Sequence, residues 1–201
     1  MSDTDTVFRS VVEGADGKDR CWWVGSDAEY QRYHDEEWGR PLHGDQPLFE
    51  KLSLEAFQAG LSWITILRRR PAFREAFAGF DPRVVARYSD ADIERLMSDE
   101  RIIRNRAKVL ATIGNARVTL DLTATTPGRL DELMWGFAPP SRAARPQSIS
   151  DIPAITPEST ALSAELRARG YRFVGPTTAY ALMQSSGMVD DHLQGCWRAA
   201  S

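Results

Sequence analysis

The chain has 201 residues, of which 42% are hydrophobic, and it includes 6 tryptophans and 8 phenylalanines. This composition is typical of a globular protein with a sizeable core and excludes a disordered chain. The formal net charge of −3 gives no sign of general nucleic-acid binding, and the sequence contains no apolar run long enough to span a membrane.

Residues 1–19 are mostly polar, and we predict a disordered tail there, followed by one folded domain over residues 20–201. The beginning of the chain lacks the apolar core of a signal peptide, which predicts a cytoplasmic protein with no membrane partner. Ser26, Asp27 and Glu29 are spaced as in a capping box, which predicts a helix from there to about Trp38.

A second helix is predicted from Asp45 to Gly60. One narrow arc of it carries Leu48, Leu52, Glu55 and Ala59. A carboxylate on that apolar arc costs roughly several kcal/mol to bury unless a cation or a hydrogen-bond donor meets it. Trp63 opens the next helix, so the acid and the indole suit a flat, cationic, hydrogen-bonding ligand. The alternative is a partly exposed Glu55 in an internal salt bridge beside a core Trp63.

The rest of the chain also predicts helices and shows neither alternating strands nor an internal repeat. The predicted helices cover residues 64–67, 71–80, 82–86, 89–97, 106–122, 130–137, 157–170 and 176–187. Pro71 is expected to begin the second of these, because proline favours the first turn of a helix. The predicted fold class is all-α, a bundle of short helices in two lobes divided near residues 40–60 and 150–157.

Two cysteines and two histidines near the chain ends form a candidate metal site. They are Cys21, His34, His192 and Cys196. The last pair has the spacing of adjacent helical turns, and four protein ligands predict a structural zinc that ties the chain ends together. The alternative is two core cysteines and two unrelated histidines. The zinc-deaminase motif is absent from the sequence, which argues against that chemistry.

Residues 89–108 predict a helix, a short basic turn and a second helix. Such a turn presents backbone N–H groups to an anion, and Arg104, Arg106 and Lys108 would add attraction to DNA phosphates without reading bases. The segment looks like a helix-hairpin-helix with its hairpin near residues 99–107, although Arg101 and Ala107 stand where small turn residues are expected. The alternative is an ordinary helical turn with a solvated basic face.

Aromatic residues cluster in the first third of the sequence. They are Trp22, Trp23, Tyr30, Tyr33, Trp38 and Trp63. Core packing explains such a group, and a stacking pocket for an extruded base is the functional alternative.

These motifs together identify a resemblance that runs from about Cys21 to Cys196. The matching motifs are Cys21-Trp22-Trp23-Val24, Tyr30-x2-Tyr33-His34-Asp35-x2-Trp38-Gly39, Leu54-Glu55-x2-Gln58-Ala59-Gly60-Leu61-Ser62-Trp63, Ile102-Ile103-Arg104-Asn105-Arg106-x-Lys108 and His192-x3-Cys196. The sequence resembles the DNA-3-methyladenine glycosylase I family of the helix-hairpin-helix glycosylase superfamily. Arg101 replaces the usual hairpin glycine, and Trp22 replaces a residue that is commonly small.

The resemblance implies a function and a set of site residues. It implies hydrolysis of the N-glycosidic bond of 3-methyladenine in alkylated double-stranded DNA, without a lyase step, by a monomer. It assigns Glu55 and Tyr33 as catalytic residues and Trp63 as the stacking residue, with Tyr30, Trp23 and Trp38 nearby in the base pocket. It also assigns one structural zinc to Cys21, His34, His192 and Cys196.

Other chemistry and other functions remain as alternatives at this point. Asp121 is the only carboxylate beyond the hairpin that could assist water attack, and a surface position is expected for it. Lys108 is expected to contact phosphate rather than to act as a Schiff-base nucleophile. The alternative functions are a non-catalytic DNA-binding module that senses alkylated bases and a zinc-stabilised scaffold that does not bind nucleic acid.

Overall fold

The computed structural model describes residues 11–141 and 144–200 and is mostly helical. Within these ranges the strands are β1 (Val11–Glu13) and β2 (Asp19–Cys21), and the α-helices are α1 (Ala28–Glu36), α2 (Asp45–Gln58), α3 (Trp63–Ala76), α4 (Pro82–Val85), α5 (Asp90–Ser98), α6 (Arg106–Thr123), α7 (Arg129–Trp135), α8 (Pro157–Ala168) and α9 (Pro176–Ser185). Single 3₁₀ turns lie at Trp22–Val24, Ala78–Phe80, Ile149–Asp151 and Trp197–Ala200. The predicted helical class is confirmed apart from the strands.

The two strands correct the prediction that residues 1–19 form a disordered tail. β1 and β2 pair antiparallel, with Val11 opposite Cys21. Arg20 is buried and donates to Asp16 at 2.7 Å and to Asp35 of α1 at 2.6 Å. Strands this short carry no recognisable alternation, and their position depends on this contact with α1. The prediction is therefore wrong for residues 11–19, and residues 1–10 lie outside the described residues.

Helix α2 occupies the centre of the fold and is buried on almost every side. Its buried side chains are Leu48, Phe49, Lys51, Leu52, Ser53, Leu54, Glu55, Ala56 and Phe57. It packs against α3, α6, α7 and α9. Asp45, its first residue, accepts hydrogen bonds from the backbone N–H groups of Gly128, Leu130 and Asp131 and so fixes the start of α7. The predicted bounds of α2 are confirmed, and Gly60 adopts the left-handed conformation just after it (φ 85°).

Two local predictions differ from the structure. Pro71 lies inside α3 instead of beginning a helix, although proline lacks an N–H group and its ring opposes an interior position. The helix continues because Phe73, two residues further on, packs in the core with its ring centroid 4.7 Å from that of Phe57. The N-cap of α1 is Asp27, which accepts from the backbone N–H of Tyr30 at 2.9 Å, so the cap begins one residue after Ser26. The other predicted helices are confirmed with small shifts at their ends.

Two expectations concern the chain as a whole. Among the helices within the described ranges, none has the length and apolar character that crossing a bilayer requires. The division into two lobes stays a prediction. Helix α2 lies at the first proposed boundary, near residues 40–60, and it packs against helices on both sides of the second proposed boundary, near residues 150–157.

Candidate active site and metal centre

Glu55 forms part of the wall of a cavity of about 290 Å³. Its side chain points inward from α2 and is only 4% exposed, as the helical periodicity predicts. The cavity is lined by Trp22, Trp23, Tyr30, Tyr33, Trp38, Glu55, Gln58, Trp63, Ile149, Ile152, Ala181, Gln184, Ser185 and Leu193. All six tryptophans and tyrosines of the predicted aromatic group therefore converge on the same acid.

Burial determines the charge of Glu55. Removal from water raises the pKa of its carboxyl to about 7, while a hydrogen bond with Ser185 of α9 and the ammonium of Lys51 oppose that rise. A buried carboxyl whose pKa is near neutrality can accept hydrogen bonds and attract a cation in a cavity with mainly aromatic and apolar walls.

The aromatic rings form two groups around the acid. The ring centroids of Tyr33 and Trp63 are 5.4 Å apart, and Trp23 lies 4.9 Å from Tyr30 and 5.0 Å from Trp38. Burial raises the pKa of Tyr33 well above its ordinary value, so its hydroxyl keeps its proton. Nε1 of Trp63 is buried and has no hydrogen-bond partner within the described part of the chain. A flat ligand here would meet aromatic faces and two N–H or O–H donors.

The entrance to the cavity is apolar. Trp22, which the sequence marks as a departure from the family, is 44% exposed and lines the cavity together with Ile149 and Ile152. The two isoleucines come from a 3₁₀ turn and the residue after it, far away in sequence. No local pattern indicates that these residues meet Trp22.

Sequence reasoning missed Lys51, the other buried charge of α2. Its side chain is 7% exposed, and Nζ lies 5.3 Å from the ring centroid of Tyr33 and 5.7 Å from that of Trp63. The available signal was its position one helical turn before Glu55. Ser185 and Gln184 were also missed, because α9 reaches the cavity only through the packing of α2 against α9.

Three of the four predicted metal ligands lie together. The ligand atoms of Cys21, His34 and Cys196 are all within 4.8 Å of one another, and the three residues are buried. Hydrogen bonds from Cys21 and His34 lower the pKa of the Cys196 thiol, which favours the thiolate that a metal requires. Asp35 holds Nδ1 of His34 at 2.8 Å, so Nε2 faces Cys196 at 3.4 Å. A carboxylate that orients a histidine in this way is typical of metal sites.

His192 lies beside this group of three. Its ring centroid is 4.8 Å from that of His34, and Asp190 holds its Nδ1 at 2.7 Å. Its Nε2 is buried and has no partner among the described residues, which is costly for a neutral imidazole unless an ion is bound. Gly39 permits this placement, because a side chain at its Cβ position would lie 2.8 Å from Cε1 of His192.

The local conformation of the second ligand pair differs from the prediction. His192 and Cys196 lie in an irregular turn after α9 and not on adjacent turns of a helix. Gly195 adopts a left-handed conformation (φ 90°) directly before Cys196, which a continuous helix could not contain.

The basic turn between α5 and α6 is present, but its charges are not all exposed. Arg104 and Arg106 are about half exposed and pair with Glu100 at 3.4 Å and Glu94 at 2.7 Å. Arg101 pairs with Asp99 at 2.9 Å and Glu75 at 2.8 Å. These ion pairs are on the surface and can exchange for phosphates at little cost.

Lys108 corrects the prediction of a phosphate contact. It is 7% exposed, and its ammonium donates to the backbone carbonyls of Phe57 at 2.9 Å and Ala59 at 2.7 Å. These carbonyls end α2, where a cation is favoured by the helix dipole. Lys108 therefore joins α6 to the helix that carries Glu55. Asp121 is exposed, as expected, and does not line the Glu55 cavity.

The raised pKa of Glu55 predicts a pH-dependent stability. Its pKa rises from 4.5 to about 7 in the native protein, so its contribution to stability is fully present below about pH 4.5 and is lost as the pH rises through about 7. Glu55→Gln removes that loss. We expect the free energy of unfolding of the variant, relative to the unsubstituted protein, to increase by about 3 kcal/mol between pH 4.5 and 8. Urea unfolding at several pH values measures it, and a difference independent of pH would contradict the assignment.

The chain is similar to a set of enzymes with one described activity. The methyladenine glycosylase family matches residues 23–199. DNA-3-methyladenine glycosylase 1 of Escherichia coli (strain K12) is 44% identical over 179 residues, which cover 89% of this chain and 95% of that protein. DNA-3-methyladenine glycosylase of Haemophilus influenzae is 43% identical over 178 residues, with 88% and 96% covered.

Solved structures give the same result. A crystal structure of 3-methyladenine DNA glycosylase I superposes with a TM-score of 0.84 at 42% identity, covering 89% of this chain and 98% of that one. The Staphylococcus aureus enzyme, solved to explain recognition of 3-methyladenine, superposes with a TM-score of 0.83 at 34% identity, with 89% and 95% covered.

Proposed function

The chain belongs to the methyladenine glycosylase family, and we propose that the cavity around Glu55 binds 3-methyladenine extruded from DNA. The chain is a DNA glycosylase of base-excision repair. The observation that carries the site assignment is the buried carboxyl of Glu55 in a cavity walled by the rings of Tyr33 and Trp63.

Recognition follows from the charge of the damaged base. Methylation at ring N3 makes adenine cationic while it is attached to the sugar. Trp63 stacks on the base, which contributes about 1–3 kcal/mol, and a cation over an indole gains attraction that unmodified adenine lacks. Glu55 accepts hydrogen bonds from the adenine edge and favours positive charge, while the Tyr33 hydroxyl donates and orients. Tyr30, Trp23 and Trp38 complete the aromatic wall.

The reaction is hydrolysis at the sugar. Water attacks C1′, the bond between C1′ and the base nitrogen breaks, and its electron pair goes to the base, which leaves neutral. The proton lost by the attacking water passes to solvent. The cationic base is already a good leaving group, so selection of the base is the main task of the cavity. The engagement of Lys108 with two carbonyl groups supports a reaction without a lyase step, because its amine is not available as a nucleophile.

The experiment that tests this function is chromatography of the bases released from methylated duplex DNA. Release of 3-methyladenine with no strand cleavage is the expected result. Binding to methylated DNA with no base released in a single turnover would favour the non-catalytic sensing module instead.

We propose that Cys21, His34, His192 and Cys196 hold one zinc ion. The donor set suits zinc, and the buried unpartnered Nε2 of His192 next to three mutually close ligand atoms supports it. Such an ion supplies no reaction chemistry, because four protein ligands leave no open position. It joins β2 and α1 to the C-terminal turn and thereby orders the wall of the cavity that contains Trp38 and Leu193.

We propose that the segment from α5 to α6 acts as a helix-hairpin-helix that binds the backbone of double-stranded DNA. The backbone N–H groups of the turn and the exposed Arg104 and Arg106 are suited to phosphates. Arg69 donates to the carbonyls of Glu100 at 2.9 Å and Arg101 at 3.0 Å, which shapes the turn in place of the usual glycine. The monomeric state and the cytoplasmic location stay predictions.

The two exposed arginines give a prediction for DNA binding. We expect Arg104→Ala with Arg106→Ala to reduce the slope of log affinity against log salt by about 2, since each phosphate contact contributes about 0.9. Fluorescence anisotropy with an undamaged duplex at several salt concentrations measures the slope. Arg83→Ala with Arg129→Ala removes the same charge from elsewhere on the surface and should leave the slope unchanged. An unchanged slope in the first variant would exclude this turn from the interface.

A further inference from the structure

Lys51 places a second buried charge behind the two rings that flank Glu55. It lies one turn before Glu55 on α2, and its ammonium is within 6 Å of the ring centroids of both Tyr33 and Trp63 (5.3 and 5.7 Å). Burial lowers the pKa of Lys51 and the charge of Glu55 opposes that fall, so the ammonium costs stability unless its charge is compensated. An apolar residue would pack better at this position of a helix that is buried on almost every side.

The neighbouring charges are already paired with one another. Glu37, at the end of α1, is bound by Arg70 of α3 at 2.8 Å and by Arg32 at 3.1 Å. Glu50, beside Lys51 on α2, is bound by Arg74 at 2.8 Å. Facing the acid from α1 are the hydroxyls of Tyr30 and Tyr33, which stay neutral because burial raises the pKa of both, and Ser185 faces it from α9.

Lys51 and Glu55 are therefore the remaining opposite charges of this region. Within the described part of the chain no direct salt bridge joins them, and the two aromatic rings lie against the ammonium. The two charges lie one helical turn apart on a buried stretch of α2, so they attract one another more strongly than they would in water. The carboxylate also keeps its oxygens available to a ligand, which a direct salt bridge would prevent.

We propose that Lys51 is a positioning residue that favours the carboxylate form of the Glu55 side chain inside the cavity. The role rests on the proposed function of Glu55 in binding the methylated base. Lys51 does not touch the base. It acts through space on the acid and through its contacts with the faces of the Tyr33 and Trp63 rings. Lys51 thus opposes the effect of burial on Glu55, so that part of the acid is ionised at neutral pH.

Removal of this charge has a defined effect on the pH dependence. The pKa of Glu55 is about 7 with Lys51 in place, and the ammonium is one of the causes that lower it. In Lys51→Met the acid keeps its burial and loses that cause, so we expect its pKa to move up by about one pH unit. The carboxylate fraction at pH 7 then falls about fivefold, and kcat/KM for release of 3-methyladenine falls with it and recovers at pH 9.

The test combines two independent measurements on the full chain. The carbon-13 chemical shift of the Glu55 carboxyl, followed through a pH titration by NMR, reports its protonation without reference to activity. The pH profile of kcat/KM for 3-methyladenine release reports the consequence for the reaction. Lys51→Gln is the second variant, and thermal unfolding confirms that both variants fold. Arg129→Met removes an equal charge from the surface at the start of α7, where Arg129 pairs with the exposed Glu132, and should change neither profile.

Three outcomes distinguish the role of Lys51 from the proposed function of Glu55. An upward shift of both the NMR titration and the acidic limb of the kcat/KM profile supports the role of Lys51. An unchanged NMR titration in both variants overturns it, whatever the activity does. If the NMR titration moves while the acidic limb stays in place, the charge of Glu55 is not needed for base release, and the proposed function of Glu55 fails together with this role of Lys51.

Discussion

Glu55→Gln is expected to lose about 100-fold in the rate of 3-methyladenine release while the protein stays folded. The amide has the size of the carboxyl, so the packing of α2 is preserved. It cannot attract a cationic base, and its NH₂ group offers donors where the base edge also offers them. The loss of charge and of one charge-assisted hydrogen bond in a cavity with aromatic walls accounts for the magnitude.

Single-turnover release from methylated DNA, followed by chromatography, measures this effect. Glu50→Gln is the matched control, because Glu50 lies on the same helix, pairs with Arg74 and does not line the cavity. We expect the control to release the base at the normal rate. Equal release by both variants would refute the assignment of Glu55 as the residue that recognises the base.

His192→Ala is expected to have the largest effect on stability. With one ligand removed, bound zinc should fall well below one ion per chain, and the free energy of unfolding should fall by about 4 kcal/mol or more. For a chain of this length that corresponds to a decrease in Tm of roughly 10 °C. The loss follows from the buried thiols of Cys21 and Cys196 and the buried imidazole of His34, which would remain in the core without their ion.

Metal analysis of the purified protein and thermal unfolding with and without a chelator test this prediction. His43→Ala is the control, because it removes an exposed imidazole that stacks on Trp135 and contacts Asp131 at 3.0 Å, away from the cysteines. The control should keep its zinc. If the unsubstituted protein contains no zinc, the ligand assignment is wrong.

Periodicity and capping patterns predict much of the helical framework and the inward position of Glu55. These features are local, because a helix repeats every 3.6 residues and its caps lie within a few positions of its ends. The resemblance adds which aromatic residues share a cavity with that acid. Pro71 shows the limit of local rules, since the packing of Phe73 outweighs the preference of proline for a first turn.

The residues that were missed depend on contacts distant in sequence. Ser185 reaches Glu55 only because α9 packs on α2. Lys51 and Lys108 each lie on a helix where a basic residue usually faces water, and long-range packing buries both. The hairpin formed by β1 and β2 depends on Arg20 and Asp35, a pair that no short-range pattern connects. The sequence shows that these residues are polar or charged, but only the fold shows which partners they contact.

The bond from Lys108 to the end of α2 has a mechanical consequence. Arg106 faces solvent at the start of α6, and only Ala107 separates it from Lys108. The ammonium of Lys108 donates to the carbonyls of Phe57 and Ala59, just beyond Glu55. These hydrogen bonds join the part of the protein proposed to hold the DNA strand directly to the part proposed to receive the base. The spacing between the DNA-binding turn and the cavity is therefore set by the fold, and the damaged nucleotide must rotate out of the duplex to cover that distance.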